Sequence, residues 1–276
     1  TLVQRKIGQS VDTFLAALLL AEARGKMPDA KSEQRVTTAL EKVVEKMQSN
    51  QKENGTWGDA AWAPVLGQAL ASRALHRARQ VGMLVDPEKL ERTAKYAREN
   101  FEKGKGSGRN ELVGAAGIAL YATASGIGGL QDALNTARHA AASARDILNS
   151  PTATAAEKEK AKEQIRRVGE LEKGFADATK SVATKTGDPM FVRGFGSDGG
   201  EEFLSFALVA EALRANDPKA WATWDRSITQ RLTRSQALDG SWTGSHCITG
   251  RTFCTAAALL TLMADRAPVP VSEKTR

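Results

Sequence analysis

Asp198, Glu201 and Glu202 place three carboxyl groups close together in the chain, and His246 and Arg251 add an imidazole and a guanidinium further on. These are the group types of general acid–base chemistry, provided the fold brings them within hydrogen-bond reach of one another and of a substrate. Cys247 follows His246 directly and has the atom type of a nucleophile. Neighbouring residues rarely point their side chains at each other, so its base would have to come from elsewhere. His76 and His139, the other two histidines, both fall in helical stretches. The run Gly194-Phe195-Gly196-Ser197-Asp198-Gly199 formally matches a dinucleotide-binding G-x-G-x-x-G. No strand signal precedes it, and Asp198, Glu201 and Glu202 crowd the following helix start, where they would repel phosphate. The run reads better as a loop into a helix, with Asp198 and Glu201 spaced as a capping box.

A second pattern concerns architecture more than chemistry. Gln51-Lys52-Glu53-Asn54-Gly55-Thr56-Trp57 and Gln236-Ala237-Leu238-Asp239-Gly240-Ser241-Trp242 share the form Q-x-x-x-G-x-W. In each, the Gln ends one helix and can bond backbone groups at a helix terminus. The Gly permits the positive φ of a tight helix-to-helix turn. The Trp packs over the junction, and its N–H still needs a partner. Two copies predict a repeated helical hairpin.

The pattern resembles the QW motif of terpene cyclases of the squalene–hopene type, shared more loosely with protein prenyltransferase β-subunits. The second copy is the stronger match, because it runs on through Gly250-Arg251-Thr252-Phe253-Cys254 into an Ala- and Leu-rich stretch like the inner helix of those folds. The resemblance implies an α/α toroid, an inner ring of helices inside an outer one. In such a ring the loops before inner helices line one mouth, where Asp198, Glu201, Glu202, His246 and Arg251 would converge, with Trp57 and Trp242 as further ligand-binding candidates. It does not carry over the chemistry. The D-x-D-D acid of the cyclases and the D-D-x-x-D magnesium motif are both absent, and aromatic residues make up 5% of the chain, few for a carbocation cavity. Prenyltransferases hold zinc with Asp, Cys and His. Here His246, Cys247 and Cys254, with Asp239 nearby, have the right atom types, but their spacing matches no recognised metal motif. The expectation is therefore no metal and no cofactor. For the cysteines two readings stand open: a Cys247–Cys254 disulfide tying the loop to the next helix, or a reduced, packed pair.

The elements that must position these residues are helices, with almost no strand signal. Small-residue, apolar stretches at Ser10–Arg24, Ala60–Val81, Asn110–Ser125, Glu201–Asn216 and Thr252–Asp265 suit an inner ring. Stretches with one charged face at Ser32–Asn50, Asp86–Lys103 and Pro218–Ala237 suit an outer one. Five inner candidates fall short of the six of a complete toroid, so the ring reads as open or incomplete. Gly126-Ile127-Gly128-Gly129 predicts a break between helices. Leu130–Asn149 and Ala155–Val182 follow, with Thr154 and Glu157 as a capping box. This region, 130–186, reads as an inserted helical hairpin, or else as one long outer helix pair. The whole is one all-α domain over 1–267 with a flexible tail over 268–276.

Composition sets the remaining bounds. The 276 residues are 41% hydrophobic and 26% charged, ordinary for a globular protein with a sizeable core. The net charge of +7 comes from Lys and Arg mixed with Asp and Glu along helical faces, with no basic run interleaved with aromatics, so no nucleic-acid partner is expected. No apolar run is long enough to span a bilayer. The chain begins at Thr1 without a Met. A cleaved signal peptide, and with it a secreted or periplasmic location, is one explanation, and a trimmed sequence is another. The functional expectation is a non-catalytic binding or scaffold module engaging a protein or an apolar small molecule through the ring mouth or the hairpin. The alternative is a cyclase- or prenyltransferase-like enzyme acting on an isoprenoid, with Asp198, Glu201 or His246 as acid or base.

Overall fold

The computed structural model describes residues 1–58, 61–105, 112 and 114–266, and among these every regular element is a helix. The tail expected over 268–276, the start of a helix at Asn110 and the glycines at 106 and 108 lie outside the described residues. In chain order the helices are α1 (Leu2–Ile7), α2 (Val11–Ala23), α3 (Ala30–Asn50), α4 (Pro64–Gln80), α5 (Pro87–Lys105), α6 (Ala119–Asn149), α7 (Ala155–Lys185), α8 (Pro189–Val192), α9 (Gly200–Asn216), α10 (Pro218–Ser235) and α11 (Arg251–Leu262).

Several boundaries follow from local chemistry. Asp86 accepts from the Glu88 N–H at 2.8 Å just before Pro87, and Asp217 accepts from the Ala220 N–H at 2.9 Å just before Pro218. Thr154 and Glu157 form the expected box at the head of α7. The short α1 and α8 carry too few residues to show a period, and so have no periodic signal in the sequence.

Packing follows the two helix types. α2 lies on α4, α4 on α6, α6 on α9 and α9 on α11, while α3, α5, α7 and α10 each bridge a consecutive pair of these. No comparable packing joins α2 to α11 among the described residues. α4, the first half of α6 and α9 form the centre and are buried almost all round, from Pro64 to Ala78, Leu120 to Asn135 and Gly200 to Leu213. α3, α5 and α10 bury one stripe each, as their charged outer faces require.

The expected break at Gly126–Gly129 does not occur. α6 runs through it as a single 31-residue helix. The reason is tertiary: a Cβ on Gly126 would come within 2.5 Å of the Phe101 Cβ, and one on Gly129 within 2.4 Å of the Ala97 Cβ. These glycines let α5 approach α6 rather than end it. The second half of α6 and the first half of α7 form a two-helix hairpin joined through Ala141, Ala144, Ala161 and Val168. The second half of α7 packs on the body through Phe175, Ala178 and Val182.

Candidate functional site

The two Q-x-x-x-G-x-W loops fold alike, bond for bond. The Gln side-chain amide donates to the Gly carbonyl in each, Gln51 to Gly55 at 3.3 Å and Gln236 to Gly240 at 2.8 Å. Asn54 and Asp239 each accept from the N–H and hydroxyl of the residue two positions on. The indole N–H of Trp57 donates to the Met47 carbonyl at 2.6 Å, and that of Trp242 to the Leu232 carbonyl at 2.8 Å. Both rings thus close the end of the preceding helix, α3 or α10, and both backbone N–H groups are held by the next long helix, α4 or α11, through Gln68 and Thr255. Trp57 and Trp242, expected as ligand contacts, serve as loop fasteners. Arg251, also expected to bind, is exposed and donates to Asp239 at 2.5 Å.

The loop before α9 and the loop before α11 come together, the Ser245 N–H donating to the Asp198 carbonyl and the Gly200 N–H to the Ile248 carbonyl, and they assemble the chemistry. Glu201 and Glu202 occupy the first turn of α9 with no exposed surface. Glu202 is saturated. One oxygen accepts from the Phe195 N–H at 3.0 Å and from the Tyr121 hydroxyl. The other accepts from the Gly199 N–H at 2.9 Å and lies 3.3 Å from His246 Nε2. The helix start is therefore capped by Gly199 and Glu202, not by Asp198 and Glu201. A Cβ on residue 199 would sit 2.8 Å from the His246 ring, which is why glycine stands there. Glu201 is poorly served: Oε2 accepts from the Ile248 N–H at 3.2 Å, and Oε1 has no partner. Burial pushes its carboxyl above the usual range, and the charge of Glu202 adds to this.

His246 Nε2 donates to the Ser197 carbonyl at 2.8 Å, leaving Nδ1 buried without a partner. One oxygen of Glu201, one of Glu202 and one ring nitrogen of His246 lie within 4.8 Å of one another. Around them stand residues the sequence reading did not single out. Tyr121 comes from α6, and its hydroxyl is pushed well above its ordinary range by burial and then by Glu202. Trp62 meets Tyr121 and Phe195 edge-on at 6.0 and 5.5 Å, and Phe195 lies 5.1 Å from the His246 ring. Lys6, on α1, lies over Trp62 at 5.1 Å. None of these carries a local signal, because each reaches the cluster from a different element.

The remaining candidates stay outside the cluster. Asp198 turns away to α10, where Arg231 donates to it at 2.6, 2.9 and 3.2 Å. A cleft of about 460 Å³ opens on that side, lined by Asp198, Arg231 and Arg234. Cys247 and Cys254 are free thiols. Cys254 is buried and donates to the Ile248 carbonyl at 3.4 Å, and burial lifts its thiol to about 11. Cys247 has φ +51°, and burial followed by Glu201 raises its thiol while Lys6 opposes the rise. A thiol raised in this way does not suit a nucleophile.

A second hollow, of about 220 Å³, lies where the hairpin meets the body. His76, Leu90, Glu91, Thr136, Arg167 and Leu171 are among its lining residues. Arg167 of α7 donates to Glu91 of α5 across it.

No protein family matches this chain by its sequence profile, and no curated protein matches it.

Proposed function

We propose that the chain is a non-catalytic helical-repeat module of the α/α-toroid type, open between its first and last inner helices, which binds a partner protein along the α6–α7 hairpin. The observation that carries this reading is where the polar side chains go. Asp198, Glu202, Arg251, Trp57 and Trp242 all spend their hydrogen bonds on helix ends and loops. The duplicated loops and the alternation of inner and outer helices support the toroid type. The hairpin carries exposed charge on both helices and shelters an amphipathic hollow at its base. At about 220 Å³ the hollow is below the usual size of a small-molecule pocket and suits one or two side chains of a protein ligand.

A photo-crosslinking residue placed at Ala137, inside this hollow, is expected to trap one discrete partner, and the Arg167→Glu change to abolish the adduct. Equal labelling from Ala137 and from the exposed Ser143 would remove the hairpin from the reading.

One observation favours a second reading, an enzyme acting on an isoprenoid or other apolar substrate. Glu201 is a buried carboxyl with a raised pKa, an unpaired oxygen and aromatic rings close by. Such a group is suited to general-acid work. Incubation with isoprenoid diphosphates and with squalene separates the two. Turnover that disappears in Glu201→Gln would replace the binding reading, and no turnover with either substrate keeps it.

A further inference from the structure

The cluster at the head of α9 holds two carboxyl groups that are both completely buried. Two carboxylates this close repel each other and have lost their water, so their charge needs compensation from within. Hydrogen bonds supply it for Glu202, which accepts from Tyr121, Phe195 and Gly199. They supply less for Glu201, whose Oε2 accepts from the Ile248 N–H at 3.2 Å and whose Oε1 is unpartnered. His246 adds a second buried atom without a partner, Nδ1, on a ring already fixed by the Ser197 carbonyl.

We propose that Glu201, Glu202 and His246 form a binding site for one divalent transition-metal ion, with zinc the best match. Two carboxylates and a neutral imidazole balance a charge of +2. An imidazole beside carboxylates selects Zn²⁺ and its first-row neighbours, whereas Ca²⁺ and Mg²⁺ favour oxygen-only sets. The donor atoms lie within 4.8 Å of one another. Bonds of about 2.0–2.2 Å to a shared ion would bring them to about 3–4 Å, a movement on the scale of side-chain torsions. Three protein ligands leave a coordination position for water or an exogenous group. Tyr121, Phe195 and Gly199, which hold Glu202, become the outer shell. The site does not depend on the binding-module reading, and the thiols of Cys247 and Cys254 lie outside it.

The test is Zn²⁺ alone, titrated calorimetrically into the full chain after chelator treatment, with X-ray absorption at the zinc edge on the loaded protein. The expected result is one ion per chain at micromolar or tighter affinity, weakened at least about tenfold in Glu201→Gln with circular dichroism unchanged, and a first shell of nitrogen and oxygen only. Absence of binding, equal binding by Glu201→Gln, or sulfur in the first shell would overturn the proposal. Should Glu201→Gln fail to fold, the absorption spectrum of the unsubstituted chain decides alone.

Discussion

Gln51 and Gln236 each turn a side-chain amide onto the glycine carbonyl of their own loop, yet the two loops end in different surroundings. Gln51 also donates to the Lys89 carbonyl of α5 at 3.1 Å, and Gly55 sits against the backbone of Arg92. Gln236 is exposed, and a Cβ on residue 240 would meet, among the described residues, the Gln236 amide at an unstrained 3.8 Å. Both glycines have positive φ, +84° and +81°. An alanine at either position bears a backbone strain of about 1–2 kcal/mol. At 55 its Cβ would also lie 2.6 Å from the Arg92 carbonyl oxygen. Gly55→Ala is therefore expected to destabilise by about 3 kcal/mol or more, and Gly240→Ala by about 1 kcal/mol. Urea denaturation measures both, and equal losses would show that α5 does not press on the first loop. Sequence alone made the loops legible, because their bonds are local. That one of them is covered by α5 was not, since nothing within the loop encodes it.

Glycines decide matters at the element scale too. Gly129 of α6 faces Ala97 of α5 at a spacing that admits no Cβ. Gly174 of α7 has nothing within 4 Å and stands on an exposed face. In an isolated helix both would gain about 1 kcal/mol on replacement by alanine. In the folded chain Gly174→Ala is expected to keep about 0.5–1 kcal/mol of that gain, raising the melting temperature by on the order of 2 °C. Gly129→Ala is expected to lose several kcal/mol through overpacking. Scanning calorimetry of the two variants checks the pair, and a rise in both would contradict the close approach of α5 and α6. In sequence a Gly-rich stretch predicts a break because, without the neighbouring helix, it looks the same whether it ends a helix or admits another.

At the scale of the whole molecule, helices distant in sequence set the chemistry of single groups. His76 on α4 is buried beneath the hairpin, with Nδ1 2.8 Å from the Thr136 hydroxyl of α6. Burial lowers its pKa from the ordinary 6.5 to about 4; Glu91 of α5 opposes the shift and Arg167 of α7 adds to it. The unfolded chain thus binds a proton between these values that the folded chain refuses. The stability from this site is complete above about pH 6.5 and declines as the pH falls towards 4, by up to about 3 kcal/mol. Urea midpoints measured across this range should show that decline, and His76→Gln should flatten it. An unchanged slope in the variant would assign the acid sensitivity elsewhere. Arg73, half-buried on α4, ties the same core together by donating to Glu211 of α9 at 2.6 Å and to Asp132 of α6 at 3.5 Å. Among the described residues no helix is long and apolar enough to cross a bilayer.

The sequence by itself determined the all-α class, the approximate limits of most of the longer helices though not of α6, the two types they alternate between, and the duplicated loops. Periodicity, caps and turn residues are local, and so survive without knowledge of the fold. It also named Glu201, Glu202 and His246, because they cluster at the starts of two apolar helices. Only the tertiary structure decided that these three meet, that Asp198 leaves them for Arg231, and that Tyr121, Trp62, Phe195 and Lys6 surround them. Those choices depend on which helices lie side by side and how closely, and the glycines that permit the approach read the same in sequence as glycines that end a helix.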